Sequence, residues 1–282
     1  MPLPTSTVAF DTADTAAGDA PVVAFDRVSL AFDEKVILKE VSFALQPGRM
    51  KIIIGGSGAG KSTILKLILG LLKPDDGTIS VNGRRIDRMS EADLMSVRAD
   101  VGMIFQEGAL FDSLTVRENV GYRLYEETKM PLPEVDARVD EVLGFVGLLE
   151  FRDRMPSELS GGQRRRVAIA RALTARPRTI LYDEPTTGLD PITALTIDDE
   201  IVKLRDLERV SGIIVTHQLR DAFYIATHEA VRNGSHLDFR PAPPEKAART
   251  TFLMLKDAGV LFEGDAAALR ASTDPYIRAF LS

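Results

Sequence analysis

Residues 55–63 of the chain read Gly55-Gly56-Ser57-Gly58-Ala59-Gly60-Lys61-Ser62-Thr63. The residues before this run, Met50 to Ile54, form a short apolar segment of the kind found in strands buried on both faces. The residues after it, Ile64 to Leu72, are mostly apolar and predict a helix that ends before Lys73-Pro74. The sequence therefore predicts a strand, a glycine-rich loop and a helix in that order.

The loop has the spacing Gly55-x4-Gly60-Lys61-Ser62, which is a complete P-loop signature in the strand-to-helix context that it requires. Glycines let backbone N–H groups wrap phosphate oxygens, and the helix N-terminus adds the positive end of its dipole. Lys61 is expected to reach the β- and γ-phosphates and Ser62 to hold Mg²⁺. The alternative, a flexible glycine and serine turn, does not account for Lys-Ser-Thr at this offset. We predict that all of residues 55–63 bind ATP.

A second apolar run, Thr179 to Tyr182, ends in Asp183 and Glu184. Ligands of α/β proteins bind outside the carboxyl ends of the strands, where these two acids are expected to lie. We predict that Asp183 supports the Mg²⁺ shell and that Glu184 orients and polarises the water that attacks the γ-phosphorus. In isolation, such a pair is more commonly two solvated acids at a strand end.

The periodicity of the remaining chain predicts the architecture. Short β-favouring runs between residues 22 and 45, and again at 78–86 around an Asn82-Gly83 turn, predict a small antiparallel sheet. An apolar stripe from Val135 to Val146 has helical spacing and indicates a helical subdomain at about 107–164. Strands and helices alternate up to residue 216, which favours a parallel sheet. We predict an α/β P-loop NTPase (RecA-like) core with an antiparallel β subdomain and an inserted α-helical subdomain.

Composition excludes several classes of protein. The 282 residues include no Cys, which removes disulfides, thiolate metal sites and thiol nucleophiles. A formal net charge of −6 argues against a general nucleic-acid binder. The most apolar stretch, Ile64 to Leu72, is far shorter than the ~20 residues of a membrane span. Residues 1–21 lack the pattern of an export signal and predict a disordered lead to a cytoplasmic protein.

The C-terminal part of the chain departs from the strand and helix alternation. Residues 229–251 predict a Pro-rich insertion, and residues 233–251 within it, with Pro241, Pro243 and Pro244 among charged residues, predict a loop or hinge. Residues 252–282 are predicted to form a β and helix extension. The predicted ATPase domain covers residues 22–228.

A pentapeptide between the loop and the acidic strand narrows the class. Residues 159–163 are Leu-Ser-Gly-Gly-Gln, about 20 residues before the acidic strand, and with the P-loop they resemble the ATP-binding-cassette (ABC) ATPases. The resemblance covers nearly all of residues 22–228. The other matching positions follow in the family's order: Phe32 for the adenine-stacking aromatic, Gln106 after a strand, Gly188-Leu189-Asp190 after the acidic strand, and His217 for the switch histidine.

This resemblance implies a mechanism with two subunits paired head to tail as a homodimer. ATP on one P-loop would be capped by residues of the other subunit's pentapeptide, namely Ser160, Gly161, Gly162 and Gln163. Asp190 would shape the dimer seam, Gln106 would contact Mg²⁺ and the attacking water, and His217 would contact the γ-phosphate and hold the geometry of Glu184. Taken alone, Phe32 is alternatively an ordinary sheet aromatic and Gln106 a surface amide. A lone histidine at the position of His217 is more often a satisfied strand-end residue than a catalytic one. Gln218 follows His217 where the family often has an acid.

A narrower resemblance lies in residues 105–120, residues 155–158 and residues 279–281. These segments look like the ATPases of Mce/Mla-type lipid transporters. The resemblance implies a separate integral-membrane permease, indirectly an Mce-domain lipid-binding protein, and a location on the cytoplasmic face of the inner membrane. Leu110, Phe111 and Leu114 would line the groove that takes up the permease; each is alternatively part of the helical subdomain's core.

Two other functions remain open from the sequence. The same cassette serves other cargoes, such as an amino acid, a metal complex or a drug, and only residues 106–120 separate these. A soluble ABC ATPase acting on DNA or ribosomes usually brings a second cassette, a long coiled coil or a zinc-binding insertion. The arginines at positions 164, 165, 166 and 171 predict packing and salt bridging, and no nucleic-acid partner is expected.

Overall fold

The computed structural model describes residues 20–234 and 236–282. The predicted disordered lead at residues 1–21 therefore lies outside the described residues, apart from Ala20 and Pro21. Within the described ranges, every helix is too short or too polar to span a bilayer.

The described residues form the following strands: β1 (Val23–Phe32), β2 (Lys35–Leu45), β3 (Met50–Gly55), β4 (Asp76–Val81), β5 (Arg84–Arg85), β6 (Val101–Ile104), β7 (Thr179–Asp183), β8 (Ser211–Val215), β9 (His228–Asn233), β10 (His236–Pro241), β11 (Thr250–Lys256) and β12 (Gly259–Asp265).

The helices of the described residues are α1 (Lys61–Ile68), α2 (Glu91–Ala99), α3 (Val116–Glu127), α4 (Leu132–Phe145), α5 (Gly161–Thr174), α6 (Pro191–Leu207), α7 (Leu219–Thr227), α8 (Pro244–Ala247), α9 (Ala266–Arg270) and α10 (Pro275–Leu281).

The central sheet has the strand order β12-β11-β3-β8-β7-β6. All neighbouring pairs are parallel except β11 with β12. Every residue of β3 is buried, because the sheet is covered on both faces. Ile53 lies in the core under the β subdomain, whereas Ile52 and Ile54 lie in the core under the helices, as the alternation of a strand requires. The parallel order brings the carboxyl ends of β3, β6, β7 and β8 to one edge.

The second sheet has the order β2-β1-β4-β5 and is antiparallel throughout, as the sequence predicts. Phe25 and Phe43 stack across β1 and β2 with ring centroids 4.6 Å apart. The Asn82-Gly83 turn between β4 and β5 has positive φ at both residues, 49° and 74°, which is the requirement of a type I′ hairpin turn.

Helices α3 and α4 lie in the segment that the sequence assigns to a helical subdomain, and both pack against α5. Thr115 begins α3 with a reciprocal cap: its hydroxyl accepts from the Glu118 N–H at 3.3 Å, and the Glu118 carboxylate accepts from the Thr115 N–H at 2.7 Å. The apolar stripe of α4, including Val135, Val139 and Val142, is fully buried.

The predicted loop or hinge at residues 233–251 is wrong for most of its length. Strands β9 and β10 form an antiparallel hairpin, and β9 packs against α6. The prolines are compatible with this because Pro241 ends β10 and Pro244 begins α8, where neither removes a needed donor. The charges are paired: buried Glu229 accepts from Arg240 at 2.9 Å and from Lys246 at 2.5 Å.

Helix α2 is absent from the sequence-based predictions. Only Leu94 and Val97 of its residues are buried, so its apolar stripe is too narrow to stand out by periodicity. A sequence signal for its start is nevertheless present: Ser90 is a preferred N-cap residue, and its hydroxyl accepts from the Asp93 N–H at 3.3 Å.

Because β11 lies between β12 and β3 in the central sheet, we expect its buried side chains to contribute to the stability of the fold. Phe252 is fully buried on β11, with its ring 5.2 Å from that of Phe223. Phe252→Ala should lower the free energy of unfolding by about 3–5 kcal/mol, measured by chemical denaturation. The control is Val260→Ala on β12, where the side chain is partly exposed and the loss should be small. Equal small losses would mean that residues 250–265 are an appendage to the sheet.

Candidate active site

A cleft of about 790 Å³ opens at the carboxyl edge of the central sheet, a size suited to a nucleotide. It is lined by Lys35, Ile37, residues 55–63, Gln106, Asp183, Glu184, His217, Leu219 and Phe280. The structure thus brings together the predicted loop, both acids, the glutamine and the histidine. The residues of this cleft come from both the P-loop side and the acidic strand, which lie 120 residues or more apart in the chain.

The glycines of the loop are required by its path. Gly55 has φ 151°, and a Cβ there would lie 2.6 Å from the carbonyl oxygen of Leu255 on the adjacent strand β11. Gly60 has φ 93° immediately before α1, and a Cβ there would meet the Leu38 side chain at 2.9 Å. The loop therefore follows a path close to its neighbours and opens its N–H groups at the start of α1.

Lys61 folds back over this loop. Its Nζ donates to the carbonyl oxygens of Gly55 at 2.9 Å and Gly56 at 3.0 Å. Partial burial lowers the pKa of the Lys61 ammonium, and the nearby carboxylates of Glu184 and Asp183 oppose that shift. The ammonium is held at the loop by weak carbonyl contacts, so an anionic phosphate entering the cleft offers it a stronger partner.

Ser62 and Asp183 form a pair of hard oxygen donors. The Ser62 hydroxyl donates to Asp183 Oδ1 at 3.0 Å, which joins the start of α1 to the end of β7. Burial raises the pKa of Asp183, the negative charge of Glu184 acts in the same direction, and the Ser62 hydrogen bond opposes both. A cation between these oxygens would relieve the buried charge. One carboxylate and one hydroxyl beside a phosphate site are a donor set that suits Mg²⁺.

Glu184 is fixed by three hydrogen bonds. Its carboxylate accepts from Thr187 Oγ1 at 3.0 Å, from the His217 N–H at 3.3 Å, and from His217 Nδ1 at 2.8 Å. A carboxylate only accepts, so Nδ1 carries the proton in that contact, and Nε2 lies 3.4 Å from the Gln218 amide. Glu184 also has φ 50°, a left-handed conformation that is uncommon outside glycine.

Residues of the pentapeptide lie outside this cleft. Ser160 and Gln163 cap α5 reciprocally, at 3.3 Å and 2.8 Å. Gly162 packs on the start of α6, since a Cβ there would lie 2.2 Å from Thr193 Cγ2. Asp190 caps α6 by accepting from the Ile192 and Thr193 N–H groups, both at 3.1 Å. Within one chain, the pentapeptide and Asp190 thus form a packed unit apart from the P-loop.

Phe32 is also not among the cleft-lining residues. It is the last residue of β1, pairs with Lys35, and is 46% exposed. Lys35 and Ile37, which do line the cleft, follow it in the next strand. An adenine-stacking role for Phe32 stays a prediction.

Sequence reasoning missed several contacts of the site. Thr187, which holds Glu184, follows the acids by a few positions and has no distinctive pattern. Phe280 enters the cleft from α10, and Tyr276 on the same helix places its hydroxyl 3.7 Å from where a Gly56 Cβ would stand. Residues this far along the chain become neighbours of the P-loop only through tertiary packing, so periodicity could not have found them.

The fold and the cleft define a P-loop nucleotide hydrolase. Comparisons with known proteins identify the family within that class. A sequence profile described as ABC transporter matches residues 38–187. The chain is 36% identical to the intermembrane phospholipid transport system ATP-binding protein MlaF of Escherichia coli K12, over 93% of this chain and 89% of that protein. It belongs to the ABC transporter ATPase family, and the predicted ATPase class is confirmed.

Two further relatives place these findings in context. The chloroplastic protein TRIGALACTOSYLDIACYLGLYCEROL 3 of Arabidopsis thaliana is 45% identical over 67% of this chain and 59% of its own length, so the chain spans less than two thirds of that relative. The dimeric ATP-binding cassette MJ0796 bound to ADP and Pi has TM-score 0.69 and 30% identity, covering 86% of this chain and 98% of that one. Its likeness confirms the predicted fold class. ATP-binding proteins of methionine and sulfate/thiosulfate importers also match.

The contacts of Lys61 predict a binding defect. Lys61→Ala should weaken ATP binding by at least about tenfold, because it removes a charge-assisted contact to the phosphates. Titration of a fluorescent ATP analogue would measure the change. Lys73→Ala, at an exposed position beyond α1, is the control and should bind as the wild type does. Unchanged affinity in Lys61→Ala would exclude the phosphate contact.

Proposed function

We propose that this chain powers lipid transport through a separate membrane permease of the Mce/Mla type. The observation that carries the proposal is the similarity to MlaF along 93% of the chain, which extends beyond the shared ATPase region into the C-terminal segment. Matching proteins of methionine and sulfate importers support the coarser function equally, so the cargo rests on this extended similarity.

The proposed catalytic base is Glu184. Its carboxylate is immobilised by Thr187 and His217 at the mouth of the cleft, and its negative charge suits it to orient a water and accept its proton as the water attacks the γ-phosphorus. The bond from the γ-phosphorus to the β,γ-bridging oxygen then breaks and ADP leaves. Lys61 and the loop N–H groups stabilise the charge on the phosphates, and His217 keeps the base in its orientation.

Ser62, Asp183 and Gln106 are proposed to hold Mg²⁺. Bound there, the ion would neutralise charge on the phosphate oxygens. Gln106 is exposed in the same cleft, which leaves its amide free to reach the ion and the attacking water. The proposed ligands are therefore one carboxylate and two neutral oxygen donors. This is expected where phosphate oxygens supply the rest of the negative charge around the ion.

A homodimer is proposed for the ATP-bound state. Ser160, Gly161, Gly162 and Gln163 stand at the N-terminus of α5, outside the cleft of their own chain. A helix N-terminus with unsatisfied N–H groups attracts anions, so these residues are suited to cap ATP on a second copy, with Asp190 at the seam. The dimeric cassette MJ0796 supports such a pairing.

The proposed permease-binding loop is Gly108 to Thr115. Asn119 of α3 pins it: the amide oxygen accepts from the Phe111 N–H at 2.8 Å, and the amide nitrogen donates to the carbonyls of Phe111, Leu114 and Thr115 at 2.9–3.0 Å. Phe111 is nonetheless 43% exposed and contacts Tyr122, with ring centroids 4.6 Å apart. A rigid loop presenting an exposed aromatic pair is suited to hold a partner's helix. Binding to an integral-membrane permease through this loop would attach the chain to the cytoplasmic face of the inner membrane.

Replacing the proposed base gives a direct test. Glu184→Gln keeps the shape and loses the proton acceptor, so steady-state ATP hydrolysis should fall by at least about 100-fold while ATP binding is retained. The ATP-bound variant should also accumulate as a stable dimer, seen by size-exclusion chromatography. Glu150→Gln, at an exposed position, should hydrolyse ATP normally. Wild-type rates in Glu184→Gln would contradict the assignment.

Affinity purification of the tagged chain from its native membrane tests the cargo and the permease loop together. The wild type should recover a permease and an Mce-domain protein, and Phe111→Ala should lose both because the exposed aromatic is removed. Leu132→Ala, at another exposed apolar position of the helical subdomain, is the matched control. Recovery of a permease without any Mce-domain protein would favour the alternative, an ABC ATPase for another cargo.

A further inference from the structure

Among the residues that the structure describes, the arginines that follow the pentapeptide have no carboxylate partner in a salt bridge, contrary to the sequence-based prediction. In the part of the chain that the structure describes, their guanidinium groups donate to backbone carbonyls instead. Arg164 donates to Leu159 at 2.6 Å and Arg166 to Val146 at 3.1 Å. Arg171 donates to Ala109 at 2.7 Å and to Gly108 at 2.8 Å, which fixes the start of the proposed permease loop to α5.

Arg165 makes a different connection. Its Nη1 donates to the carbonyl oxygen of Phe105 at 3.2 Å, and its Nη2 donates to the carbonyl oxygen of Thr187 at 3.1 Å. One planar guanidinium therefore joins the segment after β6 to the segment after β7. These two segments are 82 residues apart in the chain.

Both carbonyls lie next to proposed reacting groups. Phe105 directly precedes Gln106. Thr187 donates its own hydroxyl to the carboxylate of Glu184 at 3.0 Å. A shift of either carbonyl would move the glutamine amide or the threonine that orients the base. Arg165 also lies two positions after Gln163, so it connects both segments to the helix that carries the pentapeptide.

Burying the guanidinium of Arg165 costs free energy, because the group has few hydrogen-bond partners. The side chain is 7% exposed, and its Nε has no hydrogen-bond partner among the described residues. Burial lowers the pKa of this guanidinium, and the negative charge of Glu107 opposes the shift. Two carbonyl contacts only partly offset the loss of hydration of a buried cation. A planar group with donors at fixed angles is, however, well suited to hold two backbones at a set distance.

We propose that Arg165 is a positioning residue for ATP hydrolysis, which sets the spacing between Gln106 and Glu184 and links that spacing to the pentapeptide helix. Arg165 is not among the residues that line the cleft. The inference rests on the proposed roles of Gln106 and Glu184. Its consequence is that Arg165 affects the rate of the chemical step and leaves nucleotide affinity nearly unchanged, because among the described residues its hydrogen bonds go to Phe105 and Thr187 and not to the P-loop.

The test uses the purified full chain and measures kcat and KM for ATP together with the Kd for a fluorescent ATP analogue. Arg165→Met removes both hydrogen bonds while filling much of the volume. It should lower kcat by about 10–100-fold, the range expected when a reacting group is displaced by about 1 Å. KM and Kd should stay within about threefold. Arg165→Lys keeps the charge but places its donors on a single nitrogen, and should recover part of kcat.

Arg138→Met is the matched control. Arg138 is likewise a buried arginine, 6% exposed, that donates to two backbone carbonyls, those of Thr174 at 3.1 Å and Leu173 at 2.7 Å, and it also forms an ion pair with Glu141 at 2.7 Å. These carbonyls end α5, away from the cleft. Its loss should lower the Tm as much as the loss of Arg165 does, with kcat per folded molecule unchanged. An equal fall of kcat in both variants would overturn the positioning role, since it would report general destabilisation.

A double-mutant cycle tests the route through Thr187. Thr187→Val removes the hydroxyl that holds Glu184, and once it is absent Arg165→Met should cost less in kcat than it does alone. Full additivity would overturn this route. Glu184→Gln in the same assay separates the two proposals: an active Glu184→Gln refutes the proposed base itself, whereas an inactive Glu184→Gln beside a fully active Arg165→Met refutes only the role of Arg165.

Discussion

Parallel pairing of β3, β8 and β7 is the constraint on which the site depends. Ile53 pairs with Val215 and Val215 pairs with Asp183, so the P-loop and the acidic pair begin at the same level of the sheet. The Glu184 N–H donates to the Val215 carbonyl at 2.9 Å, which extends this alignment past the strand end. A change of register in one strand would separate the loop from the acids and leave two unrelated surface features.

Charge at this edge is balanced for a nucleotide. Burial raises the pKa of Asp183 and lowers that of Lys61, so the charged form of each group is less stable here than it would be in water. Phosphate oxygens would satisfy the lysine, and a divalent cation would satisfy the acid. The cleft is therefore electrostatically incomplete by itself, which is the property expected of a site built to bind a charged substrate.

Helix α5 joins the parts of the molecule that must act together. Its N-terminus carries the pentapeptide, Arg171 holds the start of the proposed permease-binding loop, and Arg165 holds the backbone carbonyls of Phe105, next to Gln106, and of Thr187. ABC transporter ATPases work as dimers with a membrane permease. A helix that is hydrogen-bonded to each of these loops can transmit a displacement of one loop to another. Backbone carbonyls held by guanidinium groups on the same helix cannot shift independently.

The sequence alone determined the phosphate loop, the acidic strand and the pentapeptide, because their chemistry needs particular residues at fixed local spacing. The antiparallel subdomain and the buried stripe of α4 followed from periodicity. Tertiary structure decided the rest. The hairpin of β9 and β10 was missed because its prolines and charges read as a loop until Glu229 finds its partners. The neighbours of Thr187, Phe280 and Arg165 depend on contacts across the fold, and no local pattern of residues encodes which distant group a side chain will meet.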